Sequence, residues 1–192
     1  MDKVTPIDLQ DALIQEIETL TKDMSFKQYG LEGKVYGVTA YKQDLPIPQK
    51  QESEGTDESG DLFPDENAGE SSDEHGVYNF PWAIVKLDTG STSLPSPAPM
   101  YQHVNVIIII GIYEDANDRS GYWGVMNVMQ RIMERFAKQP LLNKRFTAEP
   151  VDEKSMFRWS LQDEDTHPFY YGALEMAFNM QSFIREDLYG YA

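Results

Sequence analysis

An α+β domain is predicted for this chain of 192 residues: a mostly antiparallel β-sheet of about five to six strands packed against two main helices. Three observations predict it. His103 to Tyr113 is a run of apolar, largely β-branched residues. Tyr122 to Lys138, directly after it, carries apolar residues at helical spacing. Leu174, Met176, Phe178 and Met180 alternate with Ala173, Glu175, Ala177 and Asn179, the period of a half-buried strand. The order helix, strand, insertion, strand, strand, helix and hairpin gives a mostly antiparallel sheet with a helix layer on at least one face.

The run from His103 to Tyr113 is too short to cross a bilayer as a helix, and its residue types favour a strand. Val104, Val106, Ile108, Ile110 and Ile112 project to one face, which must be fully buried. Ile107 and Ile109 cover the middle of the other face. A central strand with a layer on each side is therefore expected. Glu114 to Gly121 turns the chain, with Asp118 or Ser120 available as the N-cap. The helix that follows presents Tyr122, Val125, Met126, Met129, Ile132, Met133 and Phe136 on one stripe. Asn127, Gln130, Arg131, Glu134, Arg135 and Lys138 lie largely off it, and Pro140 follows its end.

At the amino terminus Thr5 caps a helix, Pro6 occupies its first position, and Asp8 completes an approximate capping box. Leu9, Leu13, Ile14, Ile17, Leu20 and Met24 form its apolar stripe, with Gln10, Glu16, Glu18 and Lys22 away from it. Lys34 to Lys42 reads as the first strand.

From Gln43 to Gly76 the composition changes abruptly. Eleven acidic residues stand against one lysine, so the window carries about −10 of the formal −16. So little apolar area cannot offset the entropy of ordering, and a mobile acidic insertion within a single domain, 1–192, is expected.

Tyr78 to Leu87 reads as the next strand, with Pro81 at its start or on an edge. Asp88-Thr89-Gly90 reads as a turn, and Ser91 to Met100 as a Pro/Ser loop. Leu141 to Ala148 reads as a short edge strand. Phe157 to Gln162 alternates, with Phe157, Trp159 and Leu161 on one face. The polar turn Asp163 to Pro168 joins it to the last strand, and Asp187 to Ala192 is a tail.

A net charge of −16 disfavours direct binding to nucleic acid phosphates, whose recognition needs a basic footprint. The absence of cysteine excludes disulfides, thiolate metal sites and cysteine nucleophiles. Met1 to Pro6 has neither a basic start nor an apolar signal core, and no window suits a membrane span, so a cytosolic product is expected.

Little points to chemistry. His75, His103 and His167 are far apart and lack ligand-like spacing. Asp163, Glu164 and Asp165 near His167 read as a solvated turn rather than an acid–base cluster. The acidic window lacks the Asp/Asn spacing and glycine of a calcium loop. Gly121 and Gly124 do not complete a phosphate-binding pattern. Met126, Met129 and Met133 read as core filler. No catalytic residue, metal or cofactor is expected. Tyr170-Tyr171 at a strand entry are open to two readings, core or interface anchor.

The order of motifs carries a resemblance. Phe80-Pro81-Trp82-Ala83-Ile84-Val85-Lys86, then Val104 to Tyr113 ending in Gly-Ile-Tyr, resembles the tail terminator (tail completion) proteins of long-tailed bacteriophages. Gly121 to Ile132, Phe157-Arg158-Trp159-Ser160-Leu161 and Pro168-Phe169-Tyr170-Tyr171-Gly172 continue the pattern, which covers about residues 78 to 186. The acidic insertion departs from it. The resemblance implies a non-enzymatic virion protein of the tail or neck, assembled in the host cytoplasm. Its implied partners are further copies of itself in a hexameric ring, the tail tube protein, and a head completion or stopper protein. DNA would pass through the lumen without specific binding, and no membrane is involved. Trp123, Tyr170 and Tyr171 are the candidate subunit or tube contacts. Another neck component, a minor tail protein, or an acidic DNA-mimicking regulator are the alternatives.

Overall fold

The computed structural model describes residues 4–29, 33–46, 80–93 and 101–181. In chain order the elements are α1 (Pro6–Thr21), β1 (Ser25–Lys27), β2 (Lys34–Tyr36), β3 (Thr39–Lys42), β4 (Trp82–Thr92) and β5 (Tyr101–Tyr113). Then come α2 (Gly121–Lys138), β6 (Leu141–Leu142), β7 (Phe146–Glu149), β8 (Arg158–Leu161) and β9 (Phe169–Gln181). The main sheet runs β3-β4-β5-β9-β7-β6, and β8 also pairs with β9, next to the stretch that β7 takes. All its pairs are antiparallel except β3 with β4. With β1 and β2 as a separate small sheet, this is an α+β fold of mostly β content.

The centre is β5 against β9, thirteen residues paired without a break from Tyr101↔Gln181 to Tyr113↔Phe169. Register fixes which side chains share a face. Val104, Val106, Ile108, Ile110 and Ile112 join Leu174, Met176, Phe178 and Met180 on one face, all buried. Both helices lie on that face and share one core with it, through Leu9, Leu13 and Ile17 of α1 and Val125, Val128, Met129, Ile132 and Phe136 of α2. Phe136 meets Phe178 edge-to-face at 5.4 Å. Fully burying each such side chain stabilises by about 1.5–3 kcal/mol. Gly172 lets α2 approach, since a Cβ there would stand 2.7 Å from Val125.

The expected second layer differs in kind. Among the described residues no helix covers the opposite face. Ile109 packs there beside a separate cluster of Phe80, Trp82 and Ile84, with Tyr113, Phe169 and Tyr171 around it. A flat sheet face can be partly covered by its own large aromatics, so a doubly apolar strand need not imply two helix layers.

α1 begins as its sequence predicts. The Thr5 hydroxyl accepts from the Asp8 N–H at 3.2 Å, and the Asp8 carboxylate accepts from the Thr5 N–H at 2.8 Å. Gln10, however, is buried rather than facing away. It donates to the Val85 carbonyl at 2.6 Å and to the Gln43 side chain at 3.2 Å, which satisfies an amide that apolar periodicity cannot detect.

The strand expected over 34–42 is two strands in different sheets. Gly37, at φ +78°, breaks it against the backbone of Lys22, and Val38 N–H is held by the Thr21 hydroxyl at 3.0 Å. The outward N–H of Ala40 on edge strand β3 is taken by the Glu18 carboxylate at 3.2 Å, which blunts that edge. The acidic insertion expected over 43–76 starts too early. Gln43 belongs to the fold, since its side chain also accepts the Leu87 N–H at 2.6 Å. Residues 47–76 lie outside the described residues, as do residues 94–100 of the Pro/Ser loop and the tail from Asp187.

Three further expectations are corrected. Asp88-Thr89-Gly90 does not turn the chain: β4 bulges between Leu87 and Gly90 and continues to Thr92. Leu141 to Ala148 is a hairpin, not one strand, because Asn143 and Lys144 take left-handed backbone at φ +47° and +56°. Asparagine tolerates that region, while lysine costs about 1 kcal/mol there. Of the three residues expected on one face of β8, Phe157 and Leu161 pack against the core while Trp159 is 52% exposed. On α2, Tyr122 is exposed and Val128 joins the buried stripe instead.

Candidate interaction surfaces

The end of β5, the start of α2 and the start of β9 meet at one end of the sheet. The loop at 114–120 and the loop at 162–168 are tied together there. Glu114 N–H donates to the Pro168 carbonyl at 2.9 Å, and Arg119 pairs with Asp165 at 2.6 Å. Lys27, from the small sheet, joins them through Glu114 at 2.6 Å and through Asp115. Asp118 receives the Ser120 hydroxyl at 2.7 Å and its N–H at 3.1 Å, which holds its carboxyl below the usual range. Ser120 is thus the residue at the N-cap position, with Asp118 supporting it. The Asp165 carboxyl is likewise depressed, first by the His167 N–H and then by Arg119. This end holds six carboxylates, Glu114, Asp115, Asp118, Asp163, Glu164 and Asp165, against the cations Lys27 and Arg119.

Trp123, Tyr170 and Tyr171 all reach this acidic end, and they point three ways. The Tyr170 ring lies on Gly121, where a Cβ would come within 2.2 Å of it. Its hydroxyl meets His167 Nδ1 at 3.1 Å, and burial pushes the phenol up. Tyr171, one residue on, turns to the opposite face, 5.9 Å from the Trp82 ring and 6.3 Å from Phe80. Trp123 faces solvent, 61% exposed, edge-to-face with Tyr122, itself 45% exposed. Trp123 and Tyr122 therefore present the apolar surface at this end, while Tyr170 braces α2 and Tyr171 braces the aromatic cluster. Helical periodicity put Tyr122 in the core; its place in the first turn, beyond the sheet's edge, is what exposes it.

The other end of the sheet has the opposite character. The β6–β7 hairpin stands beside the first turns of α1, leaving an open cleft of about 480 Å³ lined by Asp8, Asp11, Gln15 and Asn143 to Phe146. Asp8 is engaged by Thr5, and Asp11 by Lys42 at 2.5 Å. Arg135 is engaged by Glu16 at 2.5 Å and Lys138 by Glu134 at 3.4 Å. Lys144 makes no salt bridge among the described residues, while the Arg145 charge helps, after the Thr5 hydrogen bonds, to hold the Asp8 carboxyl below its usual range. Leu141 is 42% exposed beside them and Ile7, on the first turn of α1, 59%. Sequence reasoning missed this end. The available signal was Ile7, an apolar residue off its helix's stripe.

His103 lies on the face opposite the helices, with Nδ1 at 3.1 Å from Glu149, which also accepts from Asn179 at 2.9 Å. His167 is at the other end, and His75 lies outside the described residues. Among the described residues no three His, Asp or Glu side chains converge as a metal site, and no helix is long and apolar enough to cross a membrane. No protein-family model matches the chain, and no curated protein matches it.

Proposed function

We propose that this chain is a structural virion subunit, a tail terminator that closes as a ring on the end of the tail tube and joins tail to head. The observation that supports this reading is where the family-like motifs fall. Phe80–Lys86, Val104–Tyr113, Gly121–Ile132, Phe157–Leu161 and Pro168–Gly172 occupy β4, β5, α2, β8 and β9, which form one contiguous block of sheet with its covering helix. A resemblance spread over elements that touch one another is worth more than the same motifs scattered. The role is non-catalytic, and its implied contacts are with further copies, the tube protein and a head completion protein.

The acidic lumen of such a ring suits DNA that must slide through without being held by its phosphates. The DNA-mimic alternative is weaker. About −10 of the charge sits between Gln43 and Gly76, leaving −6 for the rest of the chain, too sparse for a dense carboxylate array on the sheet and helices. Deleting the gene in its phage tests the proposal. Filled heads beside overlong, headless tails are expected. Normal-length tails joined to heads would reject it, and normal-length tails left unattached would favour the stopper alternative.

A further inference from the structure

Strand β8 leaves an edge of the main sheet open. The Gln162 N–H donates to the Tyr171 carbonyl at 3.1 Å, and an antiparallel ladder repeats at every second residue. Arg158 and Ser160, opposite Glu175 and Ala173, therefore bond to β9. Trp159 and Leu161 turn their N–H and C=O groups the other way, where no described strand pairs with them. The remaining edges are blunted: Glu18 takes the Ala40 N–H on β3, and β6 is two residues long. An unpaired edge is a template for another strand.

The open edge is apolar on its helix side. Trp159 and Leu161 share that face, opposite Leu174 and Gly172, and Trp159 is 52% exposed. α1 lies over β3 and β4, and the pairs of Arg131 with Asp23 and of Arg135 with Glu16 mark the flank of α2 that meets it. Half-buried Met126 and Met133 lie on the opposite flank, toward β8. Methionines beside an indole make an adaptable apolar ledge.

Charge narrows what fits there. Arg158 is held by Asp152 at 3.0 Å and Glu175 at 3.4 Å, and Asp165 by Arg119. Asp163 and Glu164, exposed just past the end of β8, make no salt bridge among the described residues, and before it Glu153 stands against Lys154. The uncompensated charge is acidic and concentrated at the Asp163 end. The chain's own longer segments outside the described residues are poor matches. Residues 47–79 hold ten acidic groups against Lys50, and residues 94–100 place prolines, which have no N–H, at 95, 97 and 99. Residues 182–192 hold Glu186 and Asp187 against Arg185.

We propose that β8 receives an extended segment of another protein, apolar at alternate positions and basic at its amino end, as an added antiparallel strand. Its backbone pairs with Trp159 and Leu161, its apolar side chains lie on Trp159 and the methionines, and its basic end reaches Asp163 and Glu164. Neither the edge nor its charge depends on the ring reading.

The probe is a fluorescein-labelled peptide of alternating valine and threonine with two lysines at its amino end, followed by anisotropy against the full chain. A control peptide carries two glutamates instead, and should bind at least about tenfold more weakly. Trp159→Pro removes an N–H that no ladder bond uses, so the melt should hold while binding is lost. Asp163→Lys with Glu164→Lys, on an exposed turn, should reverse the preference between the two peptides. In hydrogen exchange the Trp159 and Leu161 amides should be fast in the free chain and slowed by the lysine peptide, with Ser160 and Gln162 protected in both. No binding, binding unchanged by Trp159→Pro, or no preference between the peptides overturns the proposal. Dimers of the chain alone in sedimentation velocity, lost in Trp159→Pro, would give the edge to a second copy and overturn it too.

Discussion

The two faces of the central sheet are built from alternate residues of the same strands, yet they obey different rules. On the helix side of β5 every position from Val104 to Ile112 is buried, and the partners on α1 and α2 are aliphatic or phenylalanine. On the other side the same strand passes from Tyr113 in an aromatic cluster, through half-buried Ile109 and Ile107, to Asn105 bonded to Thr89 and His103 beside Glu149. One face is a core to which the strand contributes apolar side chains alone, and whose buried polar groups, Gln10 and Thr21 of α1, are hydrogen-bonded. The other is a graded surface whose polar end is satisfied by side-chain hydrogen bonds. A core face reveals itself by period, because each missing methylene is felt; a graded face reveals only composition.

Substitutions at matched positions should separate the two faces. Met129→Asp, on the buried stripe of α2, places an unpaired carboxylate in the core and should cost about 4 kcal/mol or more, abolishing cooperative thermal unfolding. Ile107→Asn, on the half-buried face, should cost no more than about 1.5 kcal/mol and leave a single sharp transition. Equal damage from both in calorimetry would erase the distinction.

Glycine substitutions come next. Gly121→Ala drives a methyl into the Tyr170 ring and Gly111→Ala drives one into Trp82, 2.4 Å away. Each should destabilise by about 1–3 kcal/mol in urea titrations. Gly121→Ala should also perturb α2, readable as a loss in far-ultraviolet ellipticity, whereas Gly111→Ala should change only tryptophan fluorescence. The reverse pattern would mean that Tyr170 and Trp82 do not brace opposite faces.

Gln10→Leu sharpens the helix side. It removes the donors to Val85 and Gln43 from a buried position and should cost about 1–2 kcal/mol despite its added apolar area. A stabilised variant would show that the amide is a defect rather than a tie between α1 and β4.

The smallest effect is from pH. Asp8, Asp23, Asp115, Asp118, Asp152 and Asp165 all have carboxyls held below the ordinary 3.8, by hydroxyl, N–H or cationic partners. A depressed folded pKa contributes stability that is fully present above the unfolded value and is lost as pH falls through the folded one. Tm should therefore be insensitive to these groups between pH 7 and about 5 and decline below about 4. Because five of the six are exposed and Asp152 is only half-buried, the decline should be shallow and weaken further in salt. A steep loss already at pH 6 would contradict this assignment.

Much of the helix side was legible from sequence. The capping box at Thr5 and Asp8, the β5 run, the β9 alternation and most of the α2 stripe are local patterns enforced by burial. What escaped depended on partners far away in the chain. Gly37 splits a strand because Lys22 stands beside it, and Gln10 is buried because Val85 offers a carbonyl 75 residues later. Asp88-Thr89-Gly90 carries turn residues yet serves as a bulge, since β5 continues past it. Of the candidate surface, three aromatics were named, but alternation along β9 sends Tyr170 and Tyr171 to opposite faces. The hairpin tip at Lys144 and Arg145 could not be read without the positive φ angles that create it.

The central claim is that this chain caps a tail tube as a closed ring. Tail tube protein should be polymerised with and without the purified chain, and tube lengths measured by negative-stain microscopy. The account predicts that tubes stop growing once the chain is added, each carrying a ring at one end only. Tubes that lengthen at the same rate and bear no terminal ring, at saturating amounts of the chain, would contradict it.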